Sequence, residues 1–367
     1  MSFVPGSLAS TDSAPEAAQP VTARLVSVGT ATPPSSYTQD EVLEWFGEDD
    51  RKIRALFKNS HIGSRALYLP PRDERGIVEE SNQELLDKHL RGVLEIGPSA
   101  ILAALEPLAI EPEELDFLVC VTSTGFLCPG VTARLIRHMG LRESIQRVDL
   151  VGMGCNAAVN GLQMAIHTAN RRPGSIGVLL CVEICSAAYV VNRSLGTAVV
   201  NSLFGDGAAA VVIRADGGDA SGHGPRAVDF ESFIHTETIE SMKYNLEGSK
   251  LSFFLDKEIP WVIGDNAHVP VNRLLARHGL DVPDVDHWVI HSGGKKVIDA
   301  ICGNLGLTEH DVRHTRSILH DYGNVSSGSV LFSYQRLQQE GVTREGDVGV
   351  MMAMGPGMSI ETALLRW

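Results

Sequence analysis

Residues 149–163 read DLVGMGCNAAVNGLQ, and this stretch allows two physical interpretations. Gly152, Gly154 and Ala157 match the G-x-G-x-x-A pattern with which a helix opens against the pyrophosphate of a dinucleotide. That pattern normally opens the first strand–helix unit and is followed about 20 residues later by an acidic residue. Here the motif lies deep in the chain, and the acid of the next predicted strand, Glu183, lies further on. We therefore favour the alternative, a cysteine nucleophile at the start of a helix.

Cys155 occupies the first turn of the helix predicted to run to about Arg171. Unpaired amides and the helix dipole favour a thiolate at this place. A free thiol with a pKa near 8.5 is only a few per cent ionised at neutral pH, and lowering that pKa by two units takes about 2.7 kcal/mol. A helix dipole supplies about 0.3–1 kcal/mol. A charged partner is therefore needed, and a histidine is the natural candidate.

The chain contains an internal duplication. LDFLVCVTSTG resembles VDHWVIHSGG with an offset of 170 residues from Asp116 to Asp286. GSIGVLLCVE matches GDVGVMMAMG with an offset of 172 residues from Gly174 to Gly346. The strand and turn before the cysteine correspond to residues 321–329. Short β-branched runs alternate with helical patterns throughout, which indicates parallel strands with helical crossovers. We expect two related α/β halves, with ligand chemistry at the carboxyl ends of strands near their junction.

Two further polar residues fall at this junction. His291 ends the apolar run HWVIH and precedes SGG, although a buried histidine bonded to backbone would show the same pattern. Asn324 lies in YGNVSSGS, which could also be a simple turn, but its duplication relationship to the cysteine turn favours an active-site position. His310 and His314 have the spacing of metal ligands, but a glutamate and a third ligand are missing, so we predict a helix surface there and no metal site.

Composition narrows the function classes. The net charge is −14 and no basic run is present, which argues against nucleic-acid and membrane partners. The longest apolar stretch, Ile176 to Val191, contains an acid and is shorter than the roughly 20 residues of a membrane span. Residues 1–20 are rich in Ser, Ala and Pro and predict a flexible tail without a secretory signal. Six cysteines without a framework of spacings suit reduced thiols and a cytoplasmic location.

Five stretches carry a resemblance to the thiolase-fold condensing enzymes, and more closely to the type III polyketide synthases. They are GCNAAVNGL at Cys155, LFGDGAAAVV from Leu203, HSGGKKVIDAI from His291, YGNVSSGSVLF from Tyr322 and MGPGMSIETALL from Met354. The resemblance covers the chain after the tail. It implies a thiolase-like α/β fold with two duplicated halves, residues 21–215 and 216–367, in a five-layered αβαβα arrangement. CVTSTGFL, VGMGCNA and LFSYQRL are most similar to the bacterial branch that makes 3,5-dihydroxyphenylacetyl-CoA in glycopeptide-antibiotic pathways.

This resemblance implies a mechanism. Cys155 holds the growing acyl chain as a thioester and pairs with His291, while His291 and Asn324 stabilise the enolate of a decarboxylating malonyl thioester. Malonyl-CoA serves as starter and extender, four units closing to the dihydroxyphenylacetyl thioester, with no cofactor beyond coenzyme A thioesters. A homodimer and crotonase-family helper enzymes are implied partners. The alternatives are a type III synthase that releases a pyrone or resorcinol from another starter, a carrier-protein-dependent ketosynthase, and a catalytically idle acyl-CoA-binding relative.

The resemblance also assigns a substrate cavity, position by position. Phe204 and Phe253 match the two aromatic gatekeepers at its mouth. The remaining matches are Cys185, Ala188 and Tyr244 at positions that shape the cavity, Cys128 in a loop that reaches across the dimer, and Lys52 at a CoA-binding position.

Several positions depart from the plant pattern. Tyr244 replaces a small residue and should shrink the cavity, which favours a small starter. Asn59 stands where a second CoA-binding lysine is expected, and Arg54, Lys58 or Arg65 are candidates to compensate. In addition, Ser292 replaces the usual proline after the histidine and Met354 replaces an aromatic residue, as in the dihydroxyphenylacetyl branch.

Overall fold

The computed structural model describes residues 22–216, 224–247 and 250–367. The predicted tail, residues 1–20, lies outside this part of the chain. Fifteen strands occur in the described ranges: β1 Ala23–Ala31, β2 Ser36–Thr38, β3 Ser64–Ala66, β4 Arg72–Asp73, β5 Gly76–Ile77, β6 Phe117–Thr122, β7 Gln146–Val151, β8 Ile176–Glu183, β9 Gly207–Ala215, β10 Arg226–Ile234, β11 Met242–Glu247, β12 Lys250–Leu255, β13 His287–Ile290, β14 Val348–Gly355 and β15 Ser359–Arg366.

Helices alternate with these strands as the sequence pattern predicts. The described residues form the α-helices α1 Gln39–Phe46, α2 Arg51–Lys58, α3 Asn82–Leu105, α4 Val131–Met139, α5 Ala157–Ala169, α6 Leu195–Leu203, α7 Ile259–Asn266, α8 His268–Ala276, α9 Lys295–Leu305, α10 Arg313–Tyr322 and α11 Ser329–Glu340.

Nine of the strands form one sheet in the order β13-β14-β15-β10-β1-β9-β8-β6-β7. β1 and β10 are joined through the single pair Arg24 and Arg226, so the sheet divides there into two parts. In one part β6 is parallel to β8, β8 antiparallel to β9, and β9 antiparallel to β1. In the other part β13, β14, β15 and β10 repeat this parallel, antiparallel, antiparallel sequence. The predicted duplication is therefore confirmed at the level of the sheet.

The repeat is incomplete at one place. β7, which leads to Cys155, is a strand at the edge of the sheet and pairs with β6. Its expected counterpart before Asn324 is the helix α10, and Asn324 itself forms only an isolated bridge with Phe204. The prediction that the strand-and-turn before Cys155 recurs around residues 321–329 was wrong about the strand. The residues that lead into Asn324 are RHTRSILHDY, whose buried side chains His314, Thr315, Ile318 and Leu319 recur at helical spacing.

The helices complete five layers. α5 and α11 lie between the two parts of the sheet, since α5 contacts β6 and β8 on one side and β14 and β15 on the other. α3 covers the outer face of β1, β8 and β9, and α8 covers β10 and β15. One buried apolar cluster surrounds the central helices and reaches both parts of the sheet, and one further cluster fills the outer interface of each half. This is the predicted αβαβα arrangement.

The proposed division between residues 215 and 216 falls between β9 and β10 and stays a prediction. None of the described helices is long and apolar enough to cross a membrane.

Candidate active site

Cys155 lies in a glycine turn between β7 and the central helix α5. The helix begins at Ala157, so Cys155 precedes it and does not lie in its first turn as predicted. Gly152 and Gly154 have φ angles of 79° and 84°, which favour glycine. A Cβ atom at Gly154 would clash with Pro356 of the other half. Gly154 therefore allows the two halves to approach each other at the cysteine.

His291 follows β13 directly, at the carboxyl end of a buried strand. Its main-chain nitrogen donates to Met352 O at 2.9 Å, which continues the pairing with β14. The side chain is 2 % exposed, and its Nδ1 has no hydrogen-bond partner within the described ranges. Because Nδ1 is sealed in, Nε2 is the ring nitrogen that can reach a substrate in the adjoining cavity.

Asn324 lies in the turn between α10 and α11. Its Oδ1 accepts a hydrogen bond from Ser326 N at 2.9 Å, and its Nδ2 donates to Gly293 O at 3.4 Å. These contacts orient the amide, because the oxygen is held by the turn and the NH₂ group points toward the loop after His291. One N–H of Asn324 remains as a donor for a ligand oxygen.

Burial sets the protonation of the pair. It raises the pKa of the Cys155 thiol to about 12, although a contact between Cys155 Sγ and Ser326 Oγ at 3.5 Å opposes this. It lowers the pKa of the His291 imidazole to about 3. Each group alone is therefore neutral at pH 7. A thiolate at Cys155 would need a compensating positive charge, and the His291 imidazole lines the same cavity.

Two cavities meet at Cys155. The larger, of about 600 Å³, is lined by His291, Asn324 and Lys52 among other residues. The smaller, of about 200 Å³, is lined by Cys185, Ala188 and Tyr244 among others. Four residues line both: Cys155, Phe204, Met242 and Phe253. The structure therefore brings nine of the ten sequence-predicted site residues to one connected space.

Aromatic rings form the junction between the cavities. Phe204 and Phe253 meet edge to face with ring centroids 5.7 Å apart, and Tyr244 packs on Phe253 at 5.5 Å. The Tyr244 hydroxyl donates to Ser123 O at 2.8 Å, which fixes the ring as a wall of the smaller cavity. The prediction that Tyr244 restricts this space agrees with its position.

Cys128 is the predicted site residue that lines neither cavity. Its side chain is exposed, in the loop before α4, and the peptide bond to Pro129 is cis. An exposed position is compatible with the predicted loop that reaches across a dimer. A role across a dimer stays a prediction.

Arg65 is fully buried and does not reach the cavity mouth, so its suggested contact with CoA phosphate was wrong. Its Nη1 donates to Asn201 O at 2.7 Å and to Phe204 O at 2.6 Å. Its Nη2 donates to Gln39 Oε1 at 2.7 Å. Arg65 instead holds the main chain beneath the gatekeeper. Arg54 and Lys58 do not line the larger cavity either.

A buried carboxylate beside the cysteine was missed by the sequence reasoning. Glu183 is 0 % exposed and accepts hydrogen bonds from Ser123 N at 2.9 Å, Thr124 Oγ1 at 3.0 Å and Ser327 Oγ at 2.6 Å. Ser326 Oγ, which touches the cysteine sulfur, also donates to Glu183 at 3.3 Å. Burial raises the pKa of this carboxyl. The available signal was an acid at the end of the apolar strand IGVLLCVE.

This combination of a duplicated five-layer fold and a buried cysteine–histidine–asparagine site defines a condensing enzyme. The sequence of the chain matches the two family models for chalcone and stilbene synthases, the N-terminal domain over residues 11–217 and the C-terminal domain over residues 230–367. The chain belongs to the chalcone and stilbene synthase family, and it is a type III polyketide synthase, an enzyme of the condensing acyltransferase type.

The chain is also similar to individual synthases and to solved structures. The chain is 51% identical over 350 residues to a 3,5-dihydroxyphenylacetyl-CoA synthase of Streptomyces toyocaensis, covering 94% of this chain and 90% of the relative. A protein of the same description from Amycolatopsis balhimycina is 49% identical, covering 94% and 93%. Among solved structures, 1,3,6,8-tetrahydroxynaphthalene synthase from Streptomyces coelicolor A3(2) superposes with a TM-score of 0.85 at 28% identity, covering 94% of this chain and 99% of that one.

Proposed function

We propose that this enzyme condenses four malonyl-CoA units, one as starter and three as extenders, and cyclises the product to 3,5-dihydroxyphenylacetyl-CoA. The observation that carries the proposal is the convergence of the Cys155 thiol, the His291 ring and the Asn324 amide on one cavity. The 49–51% identity to synthases of that product over most of the chain supports the choice of product. Antibiotic-type secondary metabolism is the corresponding context.

In the loading step, Cys155 Sγ attacks the thioester carbonyl of the starter and the coenzyme A thiolate leaves. His291 takes the thiol proton and returns it to the departing sulfur. This step needs a proton acceptor within the cavity, because burial alone keeps the cysteine protonated.

In the extension step, a second malonyl-CoA loses carbon dioxide, and the electrons of the broken C–C bond pass into an enolate. His291 Nε2 and Asn324 Nδ2 donate to the enolate oxygen, which stabilises the charge as it develops. The enolate carbon attacks the acyl-cysteine carbonyl and the Cys155 thiolate leaves. The resulting ketoacyl-CoA returns its acyl chain to Cys155 before each further extension, which releases coenzyme A. The starter also loses its carboxyl group as carbon dioxide. Three extensions and ring closure therefore give an aromatic CoA thioester, with four molecules of carbon dioxide, three of coenzyme A and one of water released.

The smaller cavity supports a short chain. Tyr244, Cys185 and Ala188 bound a space of about 200 Å³ beyond the gate. Bulky aromatic starters would have to share this space with the growing chain, so a malonyl starter is the better fit.

A homodimer is part of the proposal. β7 is an edge strand, and Val148 and Val151 on it are 41% and 38% exposed. Phe126, Met153 and Met164 are further exposed apolar side chains of the segments around it. An exposed apolar edge strand of this kind is a site for pairing with another chain. Cys128 lies in the loop that follows Phe126 and would approach the partner.

The test is incubation of the purified enzyme with malonyl-CoA alone, with products identified by mass spectrometry against authentic 3,5-dihydroxyphenylacetic acid. The acid or its CoA thioester is the expected product. A pyrone, or turnover only with another starter, would contradict the proposed specificity. Turnover only with malonyl attached to a carrier protein would contradict dependence on free CoA thioesters. If the ring closes only when a crotonase-family enzyme is added, that partner completes aromatisation.

A further inference from the structure

The larger cavity is lined by half of the lysines of the chain. The sequence contains eight lysines and has a net charge of −14. Four of the eight line this one cavity: Lys52, Lys257, Lys295 and Lys296. A single carboxylate, Asp256, stands among the described lining residues. Such an excess indicates a site for a polyanion.

The charges lie at the open end of the cavity. Cys155 and His291, at the inner end, are 8% and 2% exposed, whereas the side chains of Lys52, Lys257 and Lys296 are exposed. A ligand with a reactive group at one end and phosphates at the other would therefore enter with its phosphates at the lysines.

Not all four lysines are equally available. Lys295 Nζ is bonded to Asp299 at 2.6 Å, and Lys257 Nζ lies 3.7 Å from Glu258. Within the described ranges, Lys52 and Lys296 have no carboxylate at ion-pair distance. Lys296 instead places Nζ 5.8 Å from the ring centroid of Trp261. Its ammonium group is thus held near the mouth without a competing anion.

Trp261 is an unusual surface residue. Its side chain is 56% exposed in the first turn of α7, next to Pro260, which lines the cavity. An exposed indole offers a flat face on which a nucleobase can stack, and each such stack contributes about 1–3 kcal/mol. An aromatic face beside an ammonium group suits a nucleotide in which one ribose carries both a base and a phosphate. The base can stack on the ring, and the phosphate can pair with the ammonium group.

We propose that Trp261 and Lys296 bind the adenosine 3′-phosphate end of coenzyme A, with the adenine on the indole and the 3′-phosphate on the Lys296 ammonium. This inference rests on the proposed function, in which CoA thioesters are the substrates. Lys296 moves from the ring to the phosphate when the nucleotide binds. Lys296 thus supplies a positive charge for the phosphate that Asn59, a neutral residue lining the same cavity, does not supply.

The experiment compares binding of coenzyme A and 3′-dephospho-coenzyme A by isothermal titration calorimetry with the full chain. Lys296→Met should weaken coenzyme A about tenfold or more and dephospho-coenzyme A less than about twofold, because only the former has the 3′-phosphate. Trp261→Leu should weaken both about tenfold, since both carry adenine. Lys58→Met is the control, an exposed lysine on α2 that does not line the cavity, and should change neither affinity.

The outcomes separate this inference from the proposed function. If the unsubstituted enzyme binds coenzyme A and the Lys296 and Trp261 variants, folded by circular dichroism, bind it equally well, the inference is overturned while the proposed function stands. The inference is also overturned if Lys296→Met weakens the binding of both ligands equally, since Lys296 then does not recognise the 3′-phosphate. If the unsubstituted enzyme binds no coenzyme A, the CoA dependence of the proposed function fails and the inference fails with it.

Discussion

Asn324 and Phe204 are paired through their main chains. Asn324 N donates to Leu203 O at 2.8 Å, and Gly205 N donates to Asn324 O at 2.9 Å, so the two residues form a parallel bridge. The proposed enolate-binding amide and the gatekeeper ring are therefore positioned by one piece of backbone. A change that shifts this bridge would move both at once.

Arg65 supports this bridge, and its loss should be costly. Arg65→Met leaves the Asn201 carbonyl and Gln39 Oε1 buried without the donor that Arg65 supplies, and each unsatisfied group costs about 1–3 kcal/mol. The Phe204 carbonyl keeps the Tyr189 hydroxyl as a donor. We expect the free energy of unfolding to fall by about 3 kcal/mol or more, measured by urea denaturation. Arg54→Met, at a less buried arginine, should change it by less than about 1 kcal/mol. Equal effects of the two substitutions would show that the Arg65 contacts do not stabilise the fold.

Replacement of Cys155 by Ala should abolish condensation, because Cys155 is the only thiol among the described residues that line the larger cavity with His291. Product formation from malonyl-CoA is measured by mass spectrometry. Cys302→Ala, at a half-buried thiol on α9 outside both cavities, is the matched control and should retain activity. Product formed at an undiminished rate by the Cys155 variant would remove it as nucleophile.

His291→Gln should shift the pH dependence of Cys155 alkylation by iodoacetamide toward higher pH. The thiolate is the reactive form, and burial raises the thiol pKa. An imidazolium lowers it again, so its loss raises the pKa, and the rate at pH 7 falls about tenfold for each unit. An unchanged pH profile in the variant would mean that His291 does not assist ionisation of the cysteine.

Tyr244→Gly should widen the smaller cavity and admit larger starters. The expected result is an increase of about tenfold or more in the use of hexanoyl-CoA relative to malonyl-CoA as starter, measured in competition. Tyr244→Phe keeps the ring and removes only the hydrogen bond to Ser123 O, so it should leave this preference unchanged. If the Gly and Phe variants select starters alike, the ring does not limit the cavity.

The proposed dimer depends on the β7 edge. We expect the protein to have twice the 39.6 kDa chain mass by light scattering, and Val148→Asp combined with Val151→Asp to give the monomer. Val342→Asp is the control, since Val342 is also 41% exposed but lies after α11. A dimer that survives both acidic substitutions on β7 would place the interface elsewhere.

The catalytic candidates could be predicted because both copies of the duplication are recognisable in short stretches of the sequence. His291 ends an apolar strand whose counterpart can be aligned, and Cys155 follows another, so both could be assigned to the carboxyl edge of the sheet. Asn324 was placed correctly in the cavity, but a helix precedes it where a strand was expected. The pocket residues, and Cys128 with them, were predicted from the family resemblance, which assigns positions directly.

The supporting residues could not be predicted in the same way. Arg65 sits in GSRALYL, where nothing local indicates that the guanidinium is buried. Its partners Gln39, Asn201 and Phe204 are distant in sequence, and only tertiary packing brings their acceptors together. The sequence does show Glu183 as an acid at the end of an apolar strand. Its burial could not be predicted, because its five hydrogen-bond donors come from two different halves of the chain.

The wall of the smaller cavity, where Tyr244 is tied to the Ser123 carbonyl, bears on when synthesis stops under the proposed function. A chain that grows from Cys155 into this space of about 200 Å³ meets the Tyr244 ring as it lengthens. Once the space is full, ring closure competes with a further extension. Under that proposal the volume bounded by Tyr244 sets the length of the product, with no separate signal for termination.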